Sequence, residues 1–318
     1  MSSSPRPSLS VEAGGVVLPT PVMIASGCFG PEIASLLDVR KLGAVVTRSI
    51  TIRPQRGAPP PRVAETPSAL LVETGLQNDG IEEFLVHQLP ELAKLGVPLF
   101  VSIAGGSVDE YMRLAMALEG APGVSAIEAN ACCPSRERDG EWWAVIPEGA
   151  GEVAGAVARL SRVPVFVKLA EMPALVDVAR ACVRAGAAGL TLIHSVPGMA
   201  IDPETFQPRL APVRGGVAGP AIHPMAVHAV YRVAQALPEV AILGVGGVAT
   251  AGDAVEMFLA GASAVQVGTA VLTNPQAPIE ITTGIAQALM DRGLASPDAL
   301  RGRMGGMPTP APVGTDAP

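Results

Sequence analysis

The sequence predicts a closed (β/α)8 barrel, and three observations carry that expectation. Eight short apolar runs alternate with longer segments of helical spacing. The runs are too short for helices and hold β-branched residues, as strands buried on both faces do. The chain has 318 residues, which suits a barrel of about 250 residues with additions. A doubly wound open sheet is the alternative for the same alternation.

The runs, in order, are Val22–Ala25, Ala44–Val46, Leu99–Ile103, Ala126–Ala129, Val165–Lys168, Gly189–Ile193, Ala241–Gly244 and Ala264–Val267. Residues 173–186 typify the segments between them. Leu175, Val178, Ala179 and Cys182 fall at i, i+3, i+4 and i+7, one face of a helix. Pro173 suits its first turn and Gly186 its stop. Ahead of the first run, Leu9–Leu18 with Gly14-Gly15 at its middle predicts a hairpin closing the bottom of the barrel. Residues 1–8 are expected to be flexible and 9–304 to form the barrel. From Gly305 the tail GGMPTPAPVGTDAP is rich in Pro and Gly and is expected to be disordered.

Acidic residues outnumber basic ones, 29 to 22, and no basic stripe stands out, which argues against nucleic acid as a partner. The four cysteines, at 28, 132, 133 and 182, form no secreted disulfide framework, so a reducing cytoplasm is expected. No CxxC pair suggests a metal site. The opening MSSSPRPS lacks the apolar core of a signal peptide. No charge-free apolar stretch of about 20 residues predicts a membrane span.

In such barrels chemistry sits where the strands end. Strand seven ends in Gly244-Val245-Gly246-Gly247 and strand eight in Gln266-Val267-Gly268-Thr269. Glycines there let backbone N–H groups close on an anion, and barrels often hold a phosphate at this place. Two tight turns that need glycine are the plainer explanation. The loop Gly215–Pro220 adds a further run of candidate donors. Strand four runs into Asn130-Ala131-Cys132-Cys133-Pro134. A loop cysteine can move a proton, or it can be a small buried apolar residue. Ser135 to Pro147 carries Arg136, Arg138, Trp142 and Trp143 and reads as a lid, with surface packing as the alternative. Lys168 closes strand five and Arg48 follows strand two. A cation at an apolar mouth needs an anionic ligand or a salt bridge. Nothing beside Cys28 in sequence would activate it. His87, His223 and His228 are assigned no chemistry.

Eight stretches together resemble one family. They are ASGCFG (25–30), RVAETPS (62–68), GLQNDG (75–80), NACCPS (130–135), VFVKL (165–169), GPAIHP (219–224), GVGGV (244–248) and GASAVQVGT (261–269). With these the chain resembles the dihydroorotate dehydrogenases, specifically the class 1B catalytic subunit. The resemblance implies bound FMN. Ala25, Ser26, Gly27, Arg48, Ser49, Ser102, Asn130, Lys168 and Ile193 would lie around the flavin ring. Gly219, Gly246, Gly247, Gly268 and Thr269 would hold its phosphate. Cys133 would exchange a proton with the substrate. Arg48, Val72, Thr74, Gly75, Leu76, Asn130, Ser135, His194 and Ser195 would meet the substrate. The resemblance also implies a homodimer and a second subunit carrying FAD and an iron–sulfur cluster.

Departures from the family pattern gather on the substrate side. Arg48 replaces a Lys, and Val72, Ser135, His194 and Ser102 each replace an Asn. Cys132 replaces a Ser, and Glu73 adds an acid beside the expected carboxylate site. Sites built on amides discriminate strongly, because an unmatched buried polar group costs about 1–3 kcal/mol. The expectation is therefore an FMN oxidoreductase of C–C single or double bonds acting on a substrate other than orotate. Oxidation of dihydroorotate itself is the alternative, and a flavin-binding subunit without turnover is another.

Overall fold

Eight parallel strands pair side by side until the last meets the first, so the sheet has no edge and the open doubly wound arrangement is excluded. The structure is a computed structural model that describes residues 6–304. The barrel strands are β1 (Val22–Ile24), β2 (Ala44–Val46), β3 (Leu99–Ile103), β4 (Val124–Asn130), β5 (Val165–Leu169), β6 (Gly189–Leu192), β7 (Ala241–Val245) and β8 (Ala264–Val267). All eight apolar runs are strands. The expected tail, 305–318, and residues 1–5 lie outside the described residues. Ser8 N–H donates to Ala295 O at 2.9 Å.

Alternate residues of each strand point inward. At the lower level these are Met23, Ala44, Val46, Phe100, Ala126, Phe166, Leu243 and Ala264, all buried. Phe100 and Phe166 fill the middle, their ring centroids 5.3 Å apart. Small residues opposite two large ones give the taper its fill. The predicted hairpin is present as Val11–Ala13 and Val16–Leu18, paired antiparallel. Gly14 (φ +55°) and Gly15 (φ +85°) make its two-residue turn, which demands left-handed backbone at both positions. Val11, Ala13, Val16 and Leu18 cap the phenylalanine layer from below.

Helices cover the outside: α1 (Val108–Leu118), α2 (Pro147–Ala158), α3 (Leu175–Arg184), α4 (His223–Ala236), α5 (Ala251–Ala260) and α6 (Ala277–Asp291). In α3, Leu175, Val178, Ala179 and Cys182 are buried, as their spacing predicts. It starts two residues after Pro173 and stops before Gly186, whose φ of +109° ends the right-handed path. Thr250 and Asp253 close a capping box at the start of α5. Among the described residues no helix is long and apolar enough to cross a membrane.

A four-stranded antiparallel sheet was not legible in the sequence. It pairs Val196–Gly198, Gly215–Ala218, Ala69–Val72 and Val63–Thr66 in that order. Gly215–Ala218 is therefore strand, not the loop of free donors expected from its glycines. Those glycines serve close packing: a Cβ on Gly216 would strike Ser195 Oγ, and one on Gly215 would lie 2.8 Å from Val72 O.

Phe166→Ala removes half of the aromatic fill inside a closed wall that cannot collapse. We expect a loss of about 3–5 kcal/mol in unfolding free energy, read as a lower urea midpoint with an unchanged slope.

Candidate active site at the mouth of the barrel

Above the phenylalanines the next inward positions are polar. Glu128 of β4, Lys168 of β5, Thr191 of β6 and Gln266 of β8 are all buried. Glu128 Oε2 accepts from Thr191 Oγ1 at 2.9 Å and from Gln266 Nε2 at 3.0 Å. Glu128 Oε1 has no hydrogen-bond partner among the described residues and faces Lys168 Nζ at 3.7 Å. A buried carboxylate thus holds a buried ammonium at the end of β5. Lys168 thus has the salt bridge its position allowed for, and it also lines an open cavity.

That cavity has a volume of about 350 Å³. Ser26 and Gly27 reach it after β1, Arg48 and Ser49 after β2, and Asn130, Lys168 and His194 at the ends of β4, β5 and β6. Arg62, Val63, Thr74, Leu76 and Gln77 complete its wall from the small sheet and the loop beside it. Asn130 Nδ2 donates to Ser49 Oγ at 3.2 Å, and Ser49 and Ser102 share a 2.9 Å hydrogen bond behind the wall. Arg62 Nη1 donates to Gln77 Oε1 at 2.7 Å, and Arg48 Nη1 to Gln77 O at 3.3 Å. Three cations therefore surround one opening.

His194 is hydrogen-bonded through Nδ1 to Ser195 Oγ at 3.0 Å and meets the edge of Trp142, ring centroids 5.7 Å apart. Burial and the nearby Lys168 ammonium push its imidazole down to about 4, so it is neutral near pH 7. Trp142 comes from the segment read as a lid. The structure folds this segment down: Ser135 N–H donates to Glu141 O at 2.8 Å, and Arg136 and Arg138 pair with Glu110 and Glu152 at 2.6 and 2.9 Å. Trp143 is fully buried and donates to Gly105 O at 2.9 Å. Trp142 meets the cavity wall through His194.

The glycine loops converge. Gly246, Gly247 and Gly219 have φ of +130°, +68° and +105°. A Cβ on Gly247 would lie 2.8 Å from Gly219 O, and one on Gly219 would lie 3.5 Å from Thr269 Oγ1. Such a cradle, closed to side chains and ringed with peptide groups, fits a phosphate. His223, given no role from sequence, lies under it: Nδ1 is 3.0 Å from Gly246 O and Nε2 3.1 Å from Glu256 Oε2. Gly268 and the short helix Thr269–Thr273 bring β8 to the same place. Together with the cavity at the ends of β1, β4 and β5, this cradle fits FMN.

Other predicted residues stand apart from the cavity wall. Val72 lies within the small sheet, and Ser135 is wholly buried, its Oγ accepting from Glu137 N–H at 3.1 Å. Glu73 Oε1 accepts from Gly75 N–H at 2.9 Å, a local turn contact. Ala25 and Ile193 are buried at the strand ends. Cys132 Sγ lies 3.5 Å from Lys168 O, and burial pushes the Cys28 thiol up. Cys133 is buried below the mouth. Its Sγ lies 3.1 Å from Tyr111 Oη and 3.3 Å from Asn130 O, and burial pushes the thiol up to about 11. Sequence reasoning missed Glu128, Gln266, Tyr111, Arg62 and Gln77. The first two were detectable as polar residues at inward positions of two strands.

The family model described as dihydroorotate dehydrogenase matches residues 8–289. The chain belongs to this family. A relative from Geotalea uraniireducens is 43% identical over 302 residues, 94% of this chain and 99% of the relative. One from Geotalea daltonii is 42% identical over 94% and 99% of the two chains, and one from Trichlorobacter lovleyi 41% over 95% and 100%. All three are named dihydroorotate dehydrogenase B (NAD(+)), catalytic subunit. Members of the dihydroorotate dehydrogenase family are FMN-dependent oxidoreductases of CH–CH bonds, and so is this chain.

The neutral His194 has a consequence for stability. Its folded-state affinity for a proton is depressed from 6.5 to about 4, so the unfolded chain binds the extra proton between those values. Stability is then full above about pH 6.5 and falls as pH drops toward 4. Urea unfolding of a His194→Asn variant at about pH 7.5 and pH 5 should show a smaller difference than in the parent.

Proposed function

We propose that this chain is the catalytic subunit of a dihydroorotate dehydrogenase and oxidises dihydroorotate to orotate. The observation that carries the reading is the identity of 41–43% to relatives of that name over almost their full lengths. The expectation of a different substrate weakens for a physical reason. It counted the lost amides at 72 and 135, yet neither Val72 nor Ser135 is among the described residues that line the cavity. The departures that do line it are Arg48, which keeps a cation, and His194.

Gly219, Gly246, Gly247, Gly268 and Thr269 would hold the FMN phosphate. Ala25, Ser26, Gly27, Ser49, Ser102, Asn130, Lys168 and Ile193 would surround the ring. Bound FMN supplies the hydride acceptor. Arg48 and Arg62 attract the substrate carboxylate, and Lys168, fixed by Glu128, adds positive potential at the strand ends. Asn130, Thr74, Leu76, Gly75, His194 and Ser195 orient the substrate. The family resemblance assigns to Cys133, which stands behind Asn130 rather than in the cavity wall, the proton of the carbon next to the one that loses hydride. Residues 9–304 act as one barrel unit. The chain pairs with a second copy and with a subunit carrying FAD and an iron–sulfur cluster, in the cytoplasm.

His194 favours a second reading, in which a neutral imidazole replaces an amide to admit a different ring. Anaerobic addition of dihydroorotate separates the two. Bleaching of the flavin absorbance, with micromolar orotate binding, is expected. A flavin that stays oxidised with dihydroorotate but reacts with cyclic enones or lactones sinks the first reading. Cys133→Ser should slow flavin reduction by about 10²- to 10⁴-fold. Because the buried thiol must lose its proton to act as base, the reduction rate should rise with pH through the alkaline range toward about 11. Stopped-flow absorbance checks both.

A further inference from the structure

One phenol meets the thiol of the proposed base. Tyr111 on α1 is wholly buried and packs edge-to-face on Trp143. Its Oη lies 2.6 Å from Asn130 O and 3.1 Å from Cys133 Sγ. Sγ in turn lies 3.3 Å from Asn130 O and 3.6 Å from Gly105 O. Carbonyl oxygens only accept, so a neutral thiol donates to one of them and the phenol donates to Asn130 O. A thiolate can only accept, and the same carbonyls disfavour it. The phenol hydrogen can then swing to sulfur without any heavy atom moving.

We infer that Tyr111 is a positioning residue that sets the proton affinity of Cys133, giving its hydrogen bond to sulfur when the thiol is ionised and to Asn130 O when it is not. The inference rests on the reading of Cys133 as the base. In that step the substrate C–H bond breaks and an S–H bond forms. The electron pair left on carbon would become the second C–C bond, and bound FMN would supply the acceptor for the hydride that the neighbouring carbon loses. The phenol proton stays on oxygen throughout.

The surroundings agree with this role. Burial is the main influence raising the thiol, and the Tyr111 hydrogen bond is the largest one lowering it. Glu110, beside Tyr111 on α1, raises it further, and that carboxylate is paired with Arg136. Cys132, the adjacent thiol, is itself pushed up by burial and stays neutral. Burial and Cys133 hold the Tyr111 phenol well above its ordinary value, so it keeps the proton it must donate.

The test is pulsed alkylation of Cys133 by iodoacetamide in a Cys132→Ser background, carried to the alkaline plateau and read by peptide mass spectrometry. The plateau reports access to the thiol and the midpoint its proton affinity. Tyr111→Phe should raise the midpoint and cut alkylation about five- to tenfold at a fixed pH below it. An unmoved midpoint, with only the plateau changed, overturns the inference. The chain has two tyrosines, so 3-fluorotyrosine in a Tyr231→Phe background labels position 111 alone without altering packing. Its more acidic phenol should lower the midpoint, and an unchanged or higher one counts against Tyr111. Alkylation requires no turnover. If Cys133→Ser leaves flavin reduction untouched while Tyr111→Phe moves the midpoint, the base assignment fails and the phenol–thiol coupling stands.

Discussion

A closed barrel gives its inward side chains no water, and every other residue of eight strands must point there. That constraint acts at both levels of the interior. The lower level is met with apolar bulk, chiefly Phe100 and Phe166, sealed by the hairpin. The upper level is met with charge that must be balanced inside: Glu128 against Lys168, with Thr191 and Gln266 satisfying the second carboxylate oxygen. Removing one partner of such a pair leaves an uncompensated buried ion, which is worse than either a complete pair or an apolar one. The pair thus fixes the position of the ammonium at the mouth, and the mouth inherits its potential.

The mouth is held from outside as well. Asn130 joins β4 to the loop after β2 through Ser49, and its carbonyl takes the phenol of Tyr111 from α1. Trp143, on the covering segment, donates to the carbonyl of Gly105, which also faces the Cys133 thiol. Strand end, helix and covering segment therefore meet around one sulfur atom. The chain has only two Trp and two Tyr. That one of each, Tyr111 and Trp143, stands here shows where bulky, hydrogen-bonding side chains were needed in a core otherwise rich in alanine and valine.

The substrate side shows how an amide lost in sequence need not be lost in space. Val72 belongs to a sheet strand and Ser135 closes a local turn, so neither leaves an unmatched group facing the cavity. His194 is different. It faces the cavity as a neutral ring, kept so by burial and by the ammonium of Lys168, and it is braced by Trp142. The same charge that draws an anion to the mouth keeps this imidazole uncharged.

The sequence by itself determined the barrel, since eight buried strands and the turn at Gly14-Gly15 are local patterns with local causes. It also marked the glycine loops after β7 and β8 and the cations at 48 and 168, because glycine and buried charge carry meaning wherever they stand. Only the tertiary structure decided what depends on separated segments meeting. The small sheet joins strands more than 100 residues apart, such as Ala69–Val72 and Gly215–Ala218, and no local signal announces such a pairing. Glu128 found Lys168, and Tyr111 found Cys133, by closure of the barrel and docking of α1. Those distances are set by the fold, and the chemistry of the site depends on them.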